Sequence, residues 1–230
     1  MAEQNDWRSD TGVTEQAVEE FRAALLGWFR LHRRDFPWRA ENASLYLVVI
    51  AELMLQRTTA AAVANVLPRF IDRFPSWDSI SSASTAELEE HLRPLGLWQR
   101  RVETLQRLAA KMVSRGGVLP RNREEIEELP GVGQYIANAI LLFGHGEREP
   151  LLDVNMSRVL ERYFGPRLRA DIRYDPYLQS LSRAVVAADS PVDVNWAILD
   201  LGALVCRSRA PVCEACPLAE RCRFQVQKSQ

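Results

Sequence analysis

Cys206, Cys213, Cys216 and Cys222 are the only cysteines of the 230-residue chain, and they form a C-x6-C-x2-C-x5-C array near its end. Thiols clustered this tightly make a ligand pattern. Both an iron–sulfur cluster and a structural zinc accept all-cysteine ligation. Zinc ribbons usually present two C-x2-C pairs and this array holds one, Cys213 to Cys216, so the spacing favours a 4Fe-4S cluster, with zinc as the alternative. Arg207, Arg209, Arg221 and Arg223 interleave the array, where they balance thiolate charge, meet a phosphate backbone or simply stay solvated. The second constellation is Leu129-Pro130-Gly131-Val132-Gly133. Two glycines one residue apart let a partner approach the main chain closely, and the N–H groups that open the following helix carry the positive end of its dipole. A GVG that opens a helix directly after LP is a phosphate seat, where an isolated GxG is more often a plain turn.

The elements that must position these groups read as helices throughout. Val18, Phe21, Leu25, Trp28 and Phe29 recur at helical spacing behind Thr14, a suitable cap. Pro37 ends that helix region, and a connector follows to about residue 43. Leu45 to Gln56 reads as a buried helix and Ala60 to Phe74 as another, with Pro68 as a kink or boundary. Ser84 and Glu87 form a capping box ahead of Leu88 and Leu92, and Trp98, Val102, Leu105, Leu108 and Met112 form the stripe of a further helix. Asn122 and Glu125 open a short helix that stops at the LPGVG turn, and Gln134 to Phe143 resumes. After a loop at 144–150, which is the expected boundary between two lobes, Val154 to Phe164, Pro176 to Ala188 and Asp193 to Val205 read as three more. The chain is therefore expected to be all-α, with about ten helices.

Composition sets the frame without choosing a function. With 47% hydrophobic and 26% charged residues, the chain can bury a core without disulfides. Its longest apolar run, Leu45 to Ala51, falls far short of the roughly 20 residues of a membrane span. The polar start lacks the layout of a secretory signal, which makes a cytoplasmic, reducing compartment the expectation and metal-bound or free thiols likelier than disulfides. A net charge of −1 neither suggests nor forbids a nucleic-acid partner. Arginine supplies 27 of the 29 basic residues, since Lys111 and Lys228 are the only lysines, a bias that GC-rich coding explains more readily than selection for phosphate forks.

LPGVGQYIANAI, an aspartate about twenty residues later in LLDVNMSRVL, and the terminal cysteine array together resemble the helix-hairpin-helix DNA glycosylases of the endonuclease III superfamily, over roughly residues 20 to 223. FPWR, AELMLQRTT, GLWQRR, VLPRNR and RVLERYFG are most similar to the mismatch-specific thymine/uracil-DNA glycosylases, with the adenine-DNA glycosylases as the neighbouring branch. The resemblance implies a six-helix barrel lobe over 43–147, with its hairpin at about 122–144. A cluster lobe of 13–42 plus 148–230 carries the cysteine loop 206–222. It implies that Glu52, Tyr135 and Asp153 face the cleft between the lobes.

The resemblance also implies roles. Asp153, just before a helix, is the ionised carboxylate that stabilises positive charge on the sugar or orients the attacking water, where its residue type alone would suggest a helix cap. Tyr135 stands where bifunctional relatives carry the lysine that forms a Schiff base, so base removal by water is expected without strand nicking. Tyrosine here also resembles the thymine/uracil branch, where the adenine branch usually shows serine; otherwise it reads as a packing aromatic. Glu52, in an otherwise apolar helix, is implied to hydrogen-bond or protonate the leaving base, with a raised pKa, against the plain reading of a surface carboxylate. Gln56 and Arg57 are implied to fill the hole left by an extruded base and Leu97 to wedge the orphaned strand, with a core role as the rival reading for Leu97 and Trp98. Leu129, Gly131, Gly133 and Gln134 would seat a phosphate, and Arg100 and Arg101 are looser phosphate candidates.

The expectation is thus a monomeric, monofunctional DNA glycosylase of base excision repair. It would bind double-stranded DNA with a mismatched or damaged base and remove thymine or uracil opposite guanine. Adenine opposite 8-oxoguanine is the runner-up, disfavoured because the chain ends soon after the cluster. The alternative from another class is a non-catalytic iron–sulfur DNA-binding or redox-sensing protein.

Overall fold

The computed structural model describes residues 12–228, and the regular elements among them are twelve α-helices and five 3-10 turns, with no strand. The polar start read from the sequence spans residues 1–16, of which 1–11 lie outside the described residues. The chain divides into two compact units: Asp35–Gly146 forms one, and the segment ending at Arg34 joins Glu147 onward to form the other.

The continuous unit holds α2 (Leu45–Leu55), α3 (Ala60–Arg73), α4 (Trp77–Ser82), α5 (Thr85–Leu92), α6 (Trp98–Ser114), α7 (Arg123–Glu127) and α8 (Gln134–His145). That makes seven helices where six were expected. The seventh, α4, is only six residues long and too short to show a period, although Ser76 and Ser79 cap it reciprocally. Helix α2 is apolar around most of its circumference and is accordingly buried from Val48 to Met54. Its Ser44 cap accepts from Leu47 N at 3.2 Å. Phe70, Phe74, Leu88, Leu92, Leu105 and Leu108 close the core around it. Helix α3 runs through Pro68 without ending there. Residues 35–42 belong to this unit and not, as expected, to the cluster lobe. The reason is Trp38, which is buried in this core and stacked on Phe36 with ring centroids 4.7 Å apart.

The discontinuous unit holds α1 (Glu15–His32), α9 (Val154–Phe164), α10 (Pro176–Val186), α11 (Pro191–Leu204) and α12 (Arg223–Lys228). Thr14 caps α1 as expected, accepting from Ala17 N at 3.1 Å. Phe21, Leu25, Met156, Leu160, Leu178, Leu181, Ile198 and Leu201 make its core. Two buried polar residues order it. Asp200 is fully buried and accepts from Arg34 N at 3.0 Å and Arg34 Nε at 2.7 Å, which fixes the point where the first segment leaves. Asn195, also fully buried, accepts from Leu151 N at 2.6 Å and donates to the Glu149 carbonyl at 3.1 Å, pinning the strand-like approach to Asp153. No described helix is long and apolar enough to cross a membrane.

Candidate nucleic-acid interface, carboxylate site and thiol array

In the continuous unit the hairpin forms as the sequence reads. Asn122 caps α7, accepting from Glu125 N at 2.8 Å. Val132 N closes the turn onto the Leu129 carbonyl at 3.1 Å, and Arg123 reaches across to Asn138 Oδ1 at 2.9 Å, joining α7 to α8. The two glycines differ. Gly131 has φ of 79°, and a Cβ there would collide with Thr104 Cγ2, so the fold itself demands glycine. Gly133 has extended backbone that any residue adopts, and a Cβ would meet nothing within 4 Å. It caps α8 without a side-chain bond, at the end of the helix that carries the positive end of its dipole. Leu129 corrects the expectation: its side chain is 3% exposed and belongs to the core, so it shapes the turn without meeting a phosphate. Gln134 and Tyr135 open α8 half-buried, with Tyr135 packed against the core.

Gln56, Arg57, Leu97 and Arg100 come together around one cavity of about 360 Å³, floored by Leu53, Met54, Thr104 and Leu105. Leu97 is 56% exposed, which removes the core reading for it, whereas Trp98 is half-buried against the core with Arg93 over its ring. Gln56 Nε2 donates to the Gly131 carbonyl at 3.3 Å, tying this surface to the hairpin. Arg101 is the second correction. It is buried, and it donates to the carbonyls of Leu53, Met54, Gln56 and Gly96 at 2.7–3.0 Å, so its guanidinium is not available to a phosphate. Burial pulls its pKa below the usual arginine value. Glu52 lies inside α2 at 5% exposure, which removes the surface-carboxylate reading.

Asp153 belongs to the other unit. It caps α9: Oδ1 accepts from Asn155 N and Met156 N, both at 2.8 Å, and Oδ2 accepts from Asn155 Nδ2 at 2.6 Å. The cap reading and the functional one therefore describe the same side chain. Burial pushes its pKa above the ordinary value of 3.8, against the pull of these three bonds and of Arg158. Two residues that the sequence reading missed stand behind it. Asn155 Oδ1 accepts from Arg158 Nη2 at 3.0 Å, and Arg158 donates onward to the Cys206 carbonyl and the Gly202 carbonyl, each at 2.8 Å. Arg162, one turn later, donates to Cys206 Sγ at 3.3 Å and to the Arg207 carbonyl at 2.8 Å. The 155–158–162 spacing places all three on one helix face, a signal present in the sequence.

Cys206, Cys213, Cys216 and Cys222 line one small cavity with Arg162, Val205, Val212 and Phe224. Burial pushes the Cys216 thiol up to about 11 and raises Cys222 as well. Among the described residues, no group of three or more cysteine, histidine or acidic side chains is gathered closely enough to hold a metal ion. The donor set nevertheless suits an all-thiolate group: the four cysteines line the same small space with Val205, Pro211, Val212, Ala219 and Phe224, and Arg162 offsets negative charge. Of the interleaving arginines, Arg221 is paired with Glu20 on the surface, so it does not serve the sulfurs.

Residues 50–174 match the family model for HhH-GPD superfamily base excision DNA repair proteins. The thymine-DNA glycosylase of Aeropyrum pernix is 38% identical over 90% of this chain and 95% of its own. The thymine/uracil-DNA glycosylase of Pyrobaculum aerophilum is 35% identical over 92% of this chain and 94% of its own. The human adenine DNA glycosylase is 34% identical over 93% of this chain, which spans 41% of that protein. A solved thermostable thymine-DNA glycosylase superposes with a TM-score of 0.86 at 30% identity, covering 92% of this chain and 98% of the other.

Proposed function

We propose, from the premise that this chain belongs to the HhH-GPD superfamily of base excision DNA repair proteins, that it is a monofunctional glycosylase removing thymine or uracil mispaired with guanine. The coarser part follows from the family: the chain is a DNA glycosylase of base excision repair. The observation that carries the finer part is Tyr135, half-buried on the first turn of α8, where an amine would be needed for a covalent, strand-nicking reaction. A phenol cannot form a Schiff base. Water is then the nucleophile, and the product is an intact strand with an abasic sugar.

Each residue has a chemical task in this reading. As the bond between sugar and base breaks, positive charge grows on the sugar ring, and the Asp153 carboxylate stabilises it or takes the proton of the attacking water. Asn155 and the α9 amides hold that carboxylate in one rotamer. Glu52, buried in α2, hydrogen-bonds or protonates the departing base. Gln56 and Arg57 fill the vacated stack, Leu97 wedges the orphaned strand, and the turn at Gly131 and Gly133 that opens α8 at Gln134 takes a phosphate with help from Arg100. The four cysteines would hold a 4Fe-4S cluster, a thiolate-bound cross-link for the loop between α11 and α12, with zinc disfavoured because the array holds one C-x2-C pair where zinc ribbons usually present two. Iron and inorganic sulfide in protein purified without oxygen support this; zinc in their place overturns it.

The decisive experiment uses end-labelled duplexes carrying G·T, G·U or A·8-oxoguanine, read with and without alkali. Breaks at G·T and G·U only after alkali support the reading, and breaks without alkali overturn its monofunctional part. A second reading, adenine removal opposite 8-oxoguanine, is favoured by the likeness to the human adenine DNA glycosylase and would appear as cleavage confined to the third duplex.

A further inference from the structure

Three non-glycine residues among those described have positive φ, and two of them, Arg57 at 57° and Leu97 at 48°, line the same cavity. A left-handed conformation costs a side-chain-bearing residue energy and persists only where the surroundings over-determine it. Neither loop has an obvious local reason for it. Arg57 follows the end of α2, whose last carbonyls have no partner within the helix, and Leu97 precedes α6 without a side-chain cap.

One side chain answers for both loops. Arg101 Nε donates to the Gly96 carbonyl at 3.0 Å, Nη1 to the Leu53 and Met54 carbonyls at 3.0 and 2.9 Å, and Nη2 to the Gln56 carbonyl at 2.7 Å. A guanidinium presents its donors in a fixed planar fork, so satisfying carbonyls on both sides sets the distance and angle between the loops. A positive charge at the C-terminal end of α2 also complements its dipole. The acceptors flank Arg57 and Leu97 directly: Gln56 precedes one and Gly96 the other.

We infer that Arg101 is the positioning residue for base extrusion: it locks the loops 56–57 and 96–97 in the spacing at which Gln56, Arg57 and Leu97 enter a mispaired duplex together. This rests on the glycosylase reading above. A group that presents the inserting side chains matters while a stacked base is being pulled out, and it is idle when the base is already unpaired. Loss of Arg101 therefore separates two steps that loss of a reacting group would not.

The test compares single-turnover rates on uracil opposite guanine and on the same uracil in an unpaired bubble, together with the fluorescence of a 2-aminopurine beside the G·U pair. Arg101→Met is expected to slow the G·U reaction about tenfold or more, to leave the bubble reaction within about twofold, and to remove the fluorescence rise on binding. Arg101→Lys, which keeps the charge without the fork, is expected to fall between. Equal loss on both substrates, or no loss on either, overturns the inference. If Arg101→Met does not melt cooperatively, Arg101→Lys is judged by the same ratio. If the unsubstituted chain leaves the bubble uncut, the fluorescence decides alone. An unsubstituted chain that cuts neither substrate overturns the glycosylase reading instead.

Discussion

Asp153 and Leu97 each precede a helix, and they are held in opposite ways. Asp153 has extended backbone, φ −110°, and its carboxylate is gripped by Asn155 and Met156, two and three residues along the chain. Leu97 has left-handed backbone, an exposed side chain and no cap of its own, and with Arg57 it lines a cavity braced by Arg101, whose bond to the Gln56 carbonyl spans 45 residues. A charged group that must stay still is secured by short-range bonds that fold with its helix. On the surface that must enter another molecule, the Leu97 side chain stays exposed, and the fold holds the main chain beneath it through Arg101.

The sharpest break in this comparison is Asp153→Asn. An amide still accepts from the α9 amides, so the cap survives while the charge is lost. Turnover on G·U duplex is expected to fall about 100-fold or more, the scale of losing one group aimed at developing charge, with duplex binding retained in a gel-shift assay. Turnover within tenfold of the unsubstituted chain would remove Asp153 from the chemistry.

Asn155→Ala tests the grip itself. Its Nδ2–H favours the ionised form of Asp153, so deleting it raises a pKa already above 3.8. The reaction needs the anion, so the rate falls as pH drops through that pKa, and in the variant this acid limb moves to higher pH. At neutral pH the rate is expected to fall about tenfold, the roughly 1.4 kcal/mol of one hydrogen bond to a charged group. A single-turnover pH profile reads both effects, and an acid limb that stays in place or moves to lower pH contradicts the assignment.

Legibility follows the same division. Thr14, the Ser84–Glu87 box, Asn122 and Asp153 are local signals, and each forms in the structure as read. The 129–133 turn and the convergence of the four cysteines were equally legible, because their residues are close in the chain. Arg101 was misread as a phosphate contact because nothing near it in sequence announces that its acceptors are the end of α2. Leu129 was misread for a related reason: a motif residue can serve the turn by burying its side chain. Trp38 drew residues 35–42 into the continuous unit through packing that proline-based boundary reading does not weigh. Asn155, Arg158 and Arg162 were in plain view at helical spacing, but polar stripes usually mean solvent, and only the carbonyl of Cys206 and the bond to Asp153 show otherwise.

The paired glycines sharpen the distinction between fold and contact. Gly131→Ala places a Cβ against Thr104 in a left-handed backbone, and a loss of about 1–3 kcal/mol is expected in urea unfolding. Gly133→Ala meets nothing in the chain and needs no unusual φ, so its midpoint should not move, while affinity for duplex falls because the methyl stands where a phosphate approaches. Equal destabilisation by the two would mean that Gly133, too, serves the fold.

Leu97→Gly is the smallest effect on stability and the most direct test of where the strain lies. Left-handed backbone costs leucine about 1 kcal/mol that glycine does not incur, and glycine's freedom in the unfolded chain costs about 0.5–1 kcal/mol in return. The exposed side chain contributes little burial to offset, so the two nearly cancel, and the unfolding midpoint should stay within about 0.5 kcal/mol. Removal of G·U uracil should nevertheless slow, since the wedge is gone and the orphaned strand can restack. A clear loss of stability would mean that Leu97 packs, and that the cavity beside it is a feature of the core and not a face shaped for duplex DNA.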